Sequence, residues 1–271
     1  MRVNVRWLAA LLLLSALGFS GCSFISKLQA RDNLNKGVQA FTDQKYSDAS
    51  IYFKKAIELD PEMEEPHMYL ATAYMLQYVP GSMDPNNESY ADNAIKTFEN
   101  VVDASEKKGK PNVNAMLAIA SLTYQRNNID ETRKWCERVI KLNATTDDEK
   151  KNQAEAHYRI AVILFDNVHE RTGILGEKVK DMSPEDRQQV LEYIEEGLEH
   201  LKEAIAVRPE YYDAMMYQNL LWREKEKMVE DKDAKKELIQ MADRAYAQAV
   251  RLKLEAEAKE ASEHKTLHLG E

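Results

Sequence analysis

Residues 31–61 read RDNLNKGVQAFTDQKYSDASIYFKKAIELDP, and within them Gly37, Ala49, Phe53, Ala56 and Pro61 follow one another at steps of twelve, four, three and five. Leu34, Gly37 and Phe41, then Ala49, Phe53, Ala56, Ile57 and Leu59, recur at helical spacing and place one apolar stripe on each of two helices. Ser47 precedes the second run and reads as its N-cap. Pro61 stops it.

The pattern returns four times. A second unit opens with His67, Leu70, Ala71 and Tyr74 and resumes with Ala94, Phe98 and Val101. Ala71 and Ala94 are 23 residues apart where the first unit has 12, so 11 are extra. The breakers in 79–87 (VPGSMDPNN) make the insertion a loop. The third unit is regular, with Ile119 and Ala120, then Thr132, Cys136 and Val139. The fourth has His157, Ile160, Ala161 and Leu164, then an insertion of 24 residues before Gly197, Leu201, Ala204 and Pro209. Within that insertion 167–182 reads as a loop. Ser183-Pro184-Glu185-Asp186 then starts a helix expected to run unbroken to Val207. The fifth unit carries Met215, Asn219 and Trp222, then Ala242, Tyr246 and Ala249. After Leu252 the chain turns Lys/Glu/Ala-rich, as a polar capping helix would.

These spacings resemble the tetratricopeptide repeat (TPR), a helix hairpin of about 34 residues whose small residues let two helices touch. The resemblance implies an all-α, right-handed superhelix of five hairpins, with insertions in repeats 2, 4 and 5 and a C-terminal capping helix. The two insertions and the 213–225 segment together resemble uncharacterised bacterial TPR lipoproteins over nearly the whole mature chain. The expected layout is a signal peptide at 1–21, a lipidated linker at 22–30, the TPR solenoid at 31–261 and a polar tail at 262–271.

Arg2 and Arg6 flank a short N-terminal region, and 8–17 is an apolar run too short to span a bilayer comfortably. It ends in Phe19-Ser20-Gly21-Cys22, which resembles the lipobox of bacterial lipoproteins, with Phe19 where the usual box has Leu, Val or Ile. Cys22 is thereby the expected acylated N-terminus, facing the periplasm from the outer membrane. An ordinary cleaved signal and an uncleaved anchor helix are the alternatives. Removing 1–21 takes two Arg and no acid from the chain, so the net charge moves from −9 to about −11. An acidic chain without a basic stripe argues against a nucleic-acid partner. With Cys22 acylated, Cys136 is the one remaining thiol, and it reads as a buried small hydrophobe.

No catalytic cluster, phosphate-cradling glycine loop, Cys-x-x-Cys pair or His-Glu-x-x-His motif is legible, so neither an enzyme nor a cofactor or metal site is expected. His264 and His268 are four apart but are only two ligands on a polar tail. His67 and His157 read as packing residues, and the acids of 192–199 as the wet face of a helix.

In the TPR family the first helix of each hairpin lines the concave side. By that resemblance the partner-binding groove falls on Leu34, Val38 and Phe41; Met68, Thr72 and Met75; Leu117, Ser121 and Tyr124; and Tyr158, Val162 and Phe165. The fifth repeat adds Met216, Leu220 and Arg223. Such a Met-rich aromatic row suits an extended or helical peptide. The implied function is a lipid-anchored scaffold or adaptor for a protein or peptide partner in the cell envelope, in envelope-complex assembly. The alternative is an envelope enzyme or solute-binding accessory protein built on the 167–190 insertion.

Overall fold

The computed structural model describes the backbone of residues 5–268 and the side chains of residues 24–262. Cys22, His264 and His268 therefore lie outside the described side chains. Ten α-helices and no strand occur among the described residues. The chain divides into two compact units, Met1–Arg126 and Asn127–Glu271.

The first unit holds α1 (Val5–Thr42), α2 (Tyr46–Leu59), α3 (Glu65–Met75), α4 (Asn87–Lys107) and α5 (Val113–Gln125). Helices α1 and α2 pair, as do α3 and α4, and α2 then packs on α3 and α4 on α5. The small residue of the opening motif explains the first pairing. A Cβ built on Gly37 would sit 2.4 Å from the Phe53 ring, so the ring occupies the space any larger residue needs. Phe53 is fully buried and stacks on Tyr69 of the next hairpin at 5.3 Å, which ties one repeat to its successor. Ala49, Ala56, Ala71, Ala94 and Phe98 fill the same stripe, all essentially inaccessible.

In the first unit two boundaries differ from the sequence reading. Helix α2 starts at Tyr46, so Ser47 lies inside it and does not cap it; its cap residue is Lys45, without a side-chain hydrogen bond. The turn ahead of it is made by the left-handed backbone of Gln44, φ 61°, which lets the helix begin two residues sooner. Residues 24–30, assigned to a linker, are helical and continuous with α1: Ala30 is fully buried and the Ser26 hydroxyl donates to the Leu59 carbonyl at 2.5 Å. The loop at 79–87 is present as expected. It is closed by buried Asn87, whose amide accepts from Val79 N–H and donates to Val79 C=O, both at 2.9 Å.

The second unit holds α6 (Ile129–Ile140), α7 (Asp147–Thr172), α8 (Pro184–Val207), α9 (Tyr212–Met228) and α10 (Lys232–His268). Helices α7 and α8 pair, α9 and α10 pair, and α9 also packs on α7 and α8. Gly197 of α8 allows a close approach to the next helix, α9: a Cβ there would lie 2.7 Å from Leu221. The α8 start is as read, with Ser183 accepting from Asp186 N–H at 3.0 Å and Pro184 in the first turn. The loop before it is shorter than expected. Helix α7 continues to Thr172 because Val168 and Thr172 extend its buried stripe, and Gly173 at φ 80° ends it. The Lys/Glu/Ala-rich stretch after Leu252 continues α10 and is no separate helix. Tyr246 stands in the Phe53 position yet is 49 % exposed. At that place in the repeat a ring reaches toward the following hairpin, and α10 packs on α9.

Replacing Gly37 by Ala is expected to cost about 1–3 kcal/mol through overpacking against Phe53. Urea unfolding followed by circular dichroism measures it, and an unchanged midpoint would show that the two helices do not depend on the close approach.

Candidate functional site

The predicted groove residues sort by burial. In the first unit Leu34, Val38 and Phe41 on α1, Met68, Thr72 and Met75 on α3, and Ser121 on α5 are half-buried, and Tyr124 is 36 % exposed. Leu117 is a correction. At 9 % exposure it belongs to the core, because α5 is apolar on most of its surface and buries Ala115, Met116, Ile119, Ala120 and Leu122 with it. The structure joins Phe41 to Tyr69 edge-to-face at 5.7 Å and to Tyr46 at 5.3 Å, so an aromatic group forms where α1, α2 and α3 meet. Tyr69 was missed by sequence reading. Its signal was its place one residue beyond Met68, facing the preceding hairpin. Thr72 satisfies its own hydroxyl by donating to Met68 C=O at 2.9 Å.

A cleft of ≈ 690 Å³ opens beside this group, floored by Pro61, Met63, Met68, Tyr69, Val101 and Ala104. Of the predicted groove residues only Met68 lines it. Lys108 and Glu64 form an ion pair at its rim. His67, read as a packing residue, is half-buried on the same wall with Nε2 3.2 Å from Pro61 C=O.

In the second unit Tyr158 and Phe165 on α7 pack against α9. Tyr217 meets both edge-to-face at 5.5 Å, Tyr158 lies 5.1 Å from Tyr211, and Phe165 stacks on His169 at 5.3 Å. Val162 is the second correction: at 8 % exposure it is core, since α7 is sandwiched between α8 and α9 and buries the run 160–164. Met216 and Leu220 are half-buried and Arg223 is engaged with Asp243 at 2.8 Å, so the α9 residue that completes the aromatic row is Tyr217. Burial raises the phenol pKa values of Tyr158, Tyr211 and Tyr217, and the Tyr211 hydroxyl also donates to Glu155 at 2.5 Å. All three hydroxyls therefore stay protonated and offer hydrogen bonds, never charge.

Two polar clusters were not legible in the sequence. Glu224 is 3 % exposed and collects the Thr172 hydroxyl at 2.6 Å, the Lys227 ammonium at 2.8 and 2.9 Å and His169 Nδ1 at 2.7 Å. Lys227 also donates to Gly173 C=O at 2.8 Å, and Arg187 to Met228 C=O at 2.9 Å. This set fastens the 173–182 insertion to α9, with every carboxylate oxygen satisfied. Elsewhere His157 and His200 meet between α7 and α8, Nδ1 to Nδ1 at 2.7 Å. One ring must donate and the other accept, so the contact holds only while at least one is neutral. Burial lowers both pKa values, with the neighbouring His157 pushing His200 further, to about 4. Arg133 and Glu137 of α6 and Glu196 and Glu203 of α8 face the pair.

Cys136 is fully buried, and burial raises its thiol pKa to about 12, which keeps it a protonated hydrophobe as read. The acids of 192–199 do form a wet face, with Ile194, Gly197 and Leu198 turned inward; Glu195 pairs with Lys225 and Glu196 with Arg133. Among the described residues no three His, Cys, Asp or Glu side chains are grouped to hold a metal, and no helix is long and apolar enough to cross a membrane.

Comparison with solved structures places this architecture. A crystal structure of MamA protein superposes with a TM-score of 0.55 at 16 % identity, covering 85 % of this chain and 94 % of that one. Residues 41 to the end of MamA from Desulfovibrio magneticus RS-1 give 0.53 at 13 %, covering 84 % and 96 %. YrrB, a TPR protein with an unusual peptide-binding site, gives 0.48 at 15 %, covering 82 % and 90 %. The chain has a TPR-like fold. No protein-family model matches it, and no curated protein matches its sequence. At these identities the likeness concerns the fold alone.

Glu224→Ala is expected to cost about 3–5 kcal/mol, because it leaves the Lys227 charge buried without its partner. Hydrogen exchange should quicken at 173–182 in that variant, and unchanged protection there would show that the network does not hold the insertion. The histidine pair sets a pH dependence. His200 is depressed from 6.5 to about 4 in the folded chain, so below pH 6.5 the unfolded chain binds the extra proton. Stability contributed by the pair falls as pH drops from about 6.5 toward 4. Thermal melts across that range should lose several degrees in the natural protein and less in His200→Asn; parallel curves would exclude the pair as the cause.

Proposed function

We propose that this chain is a lipid-anchored TPR scaffold that holds a protein or peptide partner at the bacterial cell envelope, with Cys22 carrying the acyl chains. The observation that carries the binding reading is the half-exposed apolar and aromatic surface of the first helices in the first unit. Phe41, Met68, Met75 and Tyr124 keep part of their surface in solvent, and the cleft beside Met68 and Tyr69 is large enough to take apolar side chains. Methionine adapts its shape to different ligands, which suits recognition of a peptide or helix. No lysine or arginine is among the predicted groove residues of the first four hairpins, so a tail carboxylate is not the feature recognised. An acyl anchor would confine the partner to one membrane and raise its effective concentration there. The periplasmic face of the outer membrane is the proposed location, and assembly of an envelope complex the proposed role.

The alternative of an enzyme or solute-binding site on residues 167–190 gains no support from the geometry. The Thr172 hydroxyl and the Gly173 carbonyl of that insertion are taken up by Glu224 and Lys227, and its helix begins with a satisfied cap.

Met75→Glu combined with Tyr124→Glu should abolish recovery of crosslinked partners from cells while helical content survives. Partners recovered undiminished would refute the first-helix surface as the binding site. Cys22→Ala should release the chain from membranes, and attachment that persists would favour an uncleaved anchor helix.

A further inference from the structure

The first turns of α1 after Cys22 carry an exposed apolar face. Phe24, Ile25 and Leu28 are 65 %, 55 % and 55 % exposed, an unusual density of bare apolar side chains in five consecutive residues. At 100° per residue they fall within one 100° arc of α1, and Ser26 and Ala30 fall on the opposite side. That opposite side is the docked one, through Ala30 at zero exposure and the Ser26 hydrogen bond to Leu59 C=O. The apolar trio thus points away from the scaffold because its helix is held from behind.

We infer that Phe24, Ile25 and Leu28 lie in the lipid interface, so that α1 seats the scaffold on the membrane in one orientation. The inference rests on acylation of Cys22, and three observations choose lipid as the occupant. Leu28 is six residues from Cys22, about 9 Å along a helix, so acyl chains on Cys22 would hold the trio close to the bilayer surface. Exposed Lys27 and Arg31 lie next to the trio on the same side of the helix, where anionic headgroups would be. Ala30 and Ser26 leave the segment no freedom to act as a loose tether, so an anchor at Cys22 brings the trio to the surface whether or not a partner is bound.

The test uses the full chain, processed in bacterial cells, purified and reconstituted into phosphatidylethanolamine/phosphatidylglycerol vesicles with nitroxide-labelled lipid. Leu28→Cys, or Asn35→Cys as a control on the same face about 10 Å further along, is labelled with an environment-sensitive fluorophore. Cys136 is buried and does not compete. The mass of the N-terminal peptide reports acylation independently. The expected result is blue-shifted emission at 28 with quenching by the lipid nitroxide several-fold stronger than at 35, lost when Phe24 and Ile25 are both changed to Ser. Water-like emission at 28 in a chain whose mass shows acylated Cys22 overturns the inference and leaves the anchor intact. A blue shift without lipid quenching means protein covers the patch, and also overturns it. An unacylated Cys22 removes the anchor and the inference together.

Discussion

The closest approaches between neighbouring helices are the constraint from which the rest of the architecture follows. Two helices come near enough for a phenyl ring to occupy the space above Gly37, and a leucine methyl the space above Gly197. At such separations each ring is sealed by the backbone it lies on, which is why Phe53 is fully buried in a pair of helices too small to have an interior of its own. The ring's other face is left over. Tyr69 of the next hairpin covers it, so the contact that closes one hairpin also creates the demand for its neighbour. Tyr246 shows the same demand at α10, where the equivalent ring is half in solvent.

That logic made the repeat legible and its interruptions illegible. Gly37, Ala49, Phe53 and Ala56 announce themselves because their spacing is local and repeated, and the burial of each follows. Ser183 and Pro184 were legible for a similar reason, since a cap acts within four residues. Glu224 was not. Its partners Thr172 and His169 come from 52 and 55 residues away, and an acid in the alternating run Arg223-Glu224-Lys225-Glu226-Lys227 reads as solvent-facing. Asn219 and Met215 gave the stripe of α9, but placing Tyr217 against both Tyr158 and Phe165 depends on how α9 is rotated toward α7, which no single-helix pattern fixes. Leu117 and Val162 failed from the other direction. The family's inward positions assume a helix with one buried stripe, whereas α5 and α7 are buried on more than one side.

Both insertions meet one physical requirement in the same way. A loop that interrupts a stack of hairpins leaves backbone groups that no neighbouring repeat can satisfy, and buried backbone must be paired. The 79–87 loop answers with a single amide, Asn87, which both donates to and accepts from Val79. The longer 173–182 loop answers with charge, as Lys227 reaches Gly173 C=O and Glu224 holds Lys227 in place. The difference in chemistry tracks the difference in reach. An asparagine can bridge the ends of a nine-residue loop, whereas tying a loop to a different helix calls for a side chain as long as lysine, and a buried lysine requires a carboxylate.

This bears on what such insertions can do. A lid or catalytic loop has to keep polar groups unspent for a substrate and must open at low cost. Here the carboxylate nearest the 173–182 loop already holds the ammonium and the hydroxyl, and separating the carboxylate from the ammonium strands a charge in the interior. Opening the loop would therefore be opposed by the energy that seats it. A surface that meets a partner has the opposite requirement: it should keep apolar side chains partly in solvent in the free protein, as Phe41, Met68 and Met75 do. The contrast between a loop seated by buried polar contacts and first helices with apolar side chains partly in solvent is the physical ground for proposing recognition on the helices.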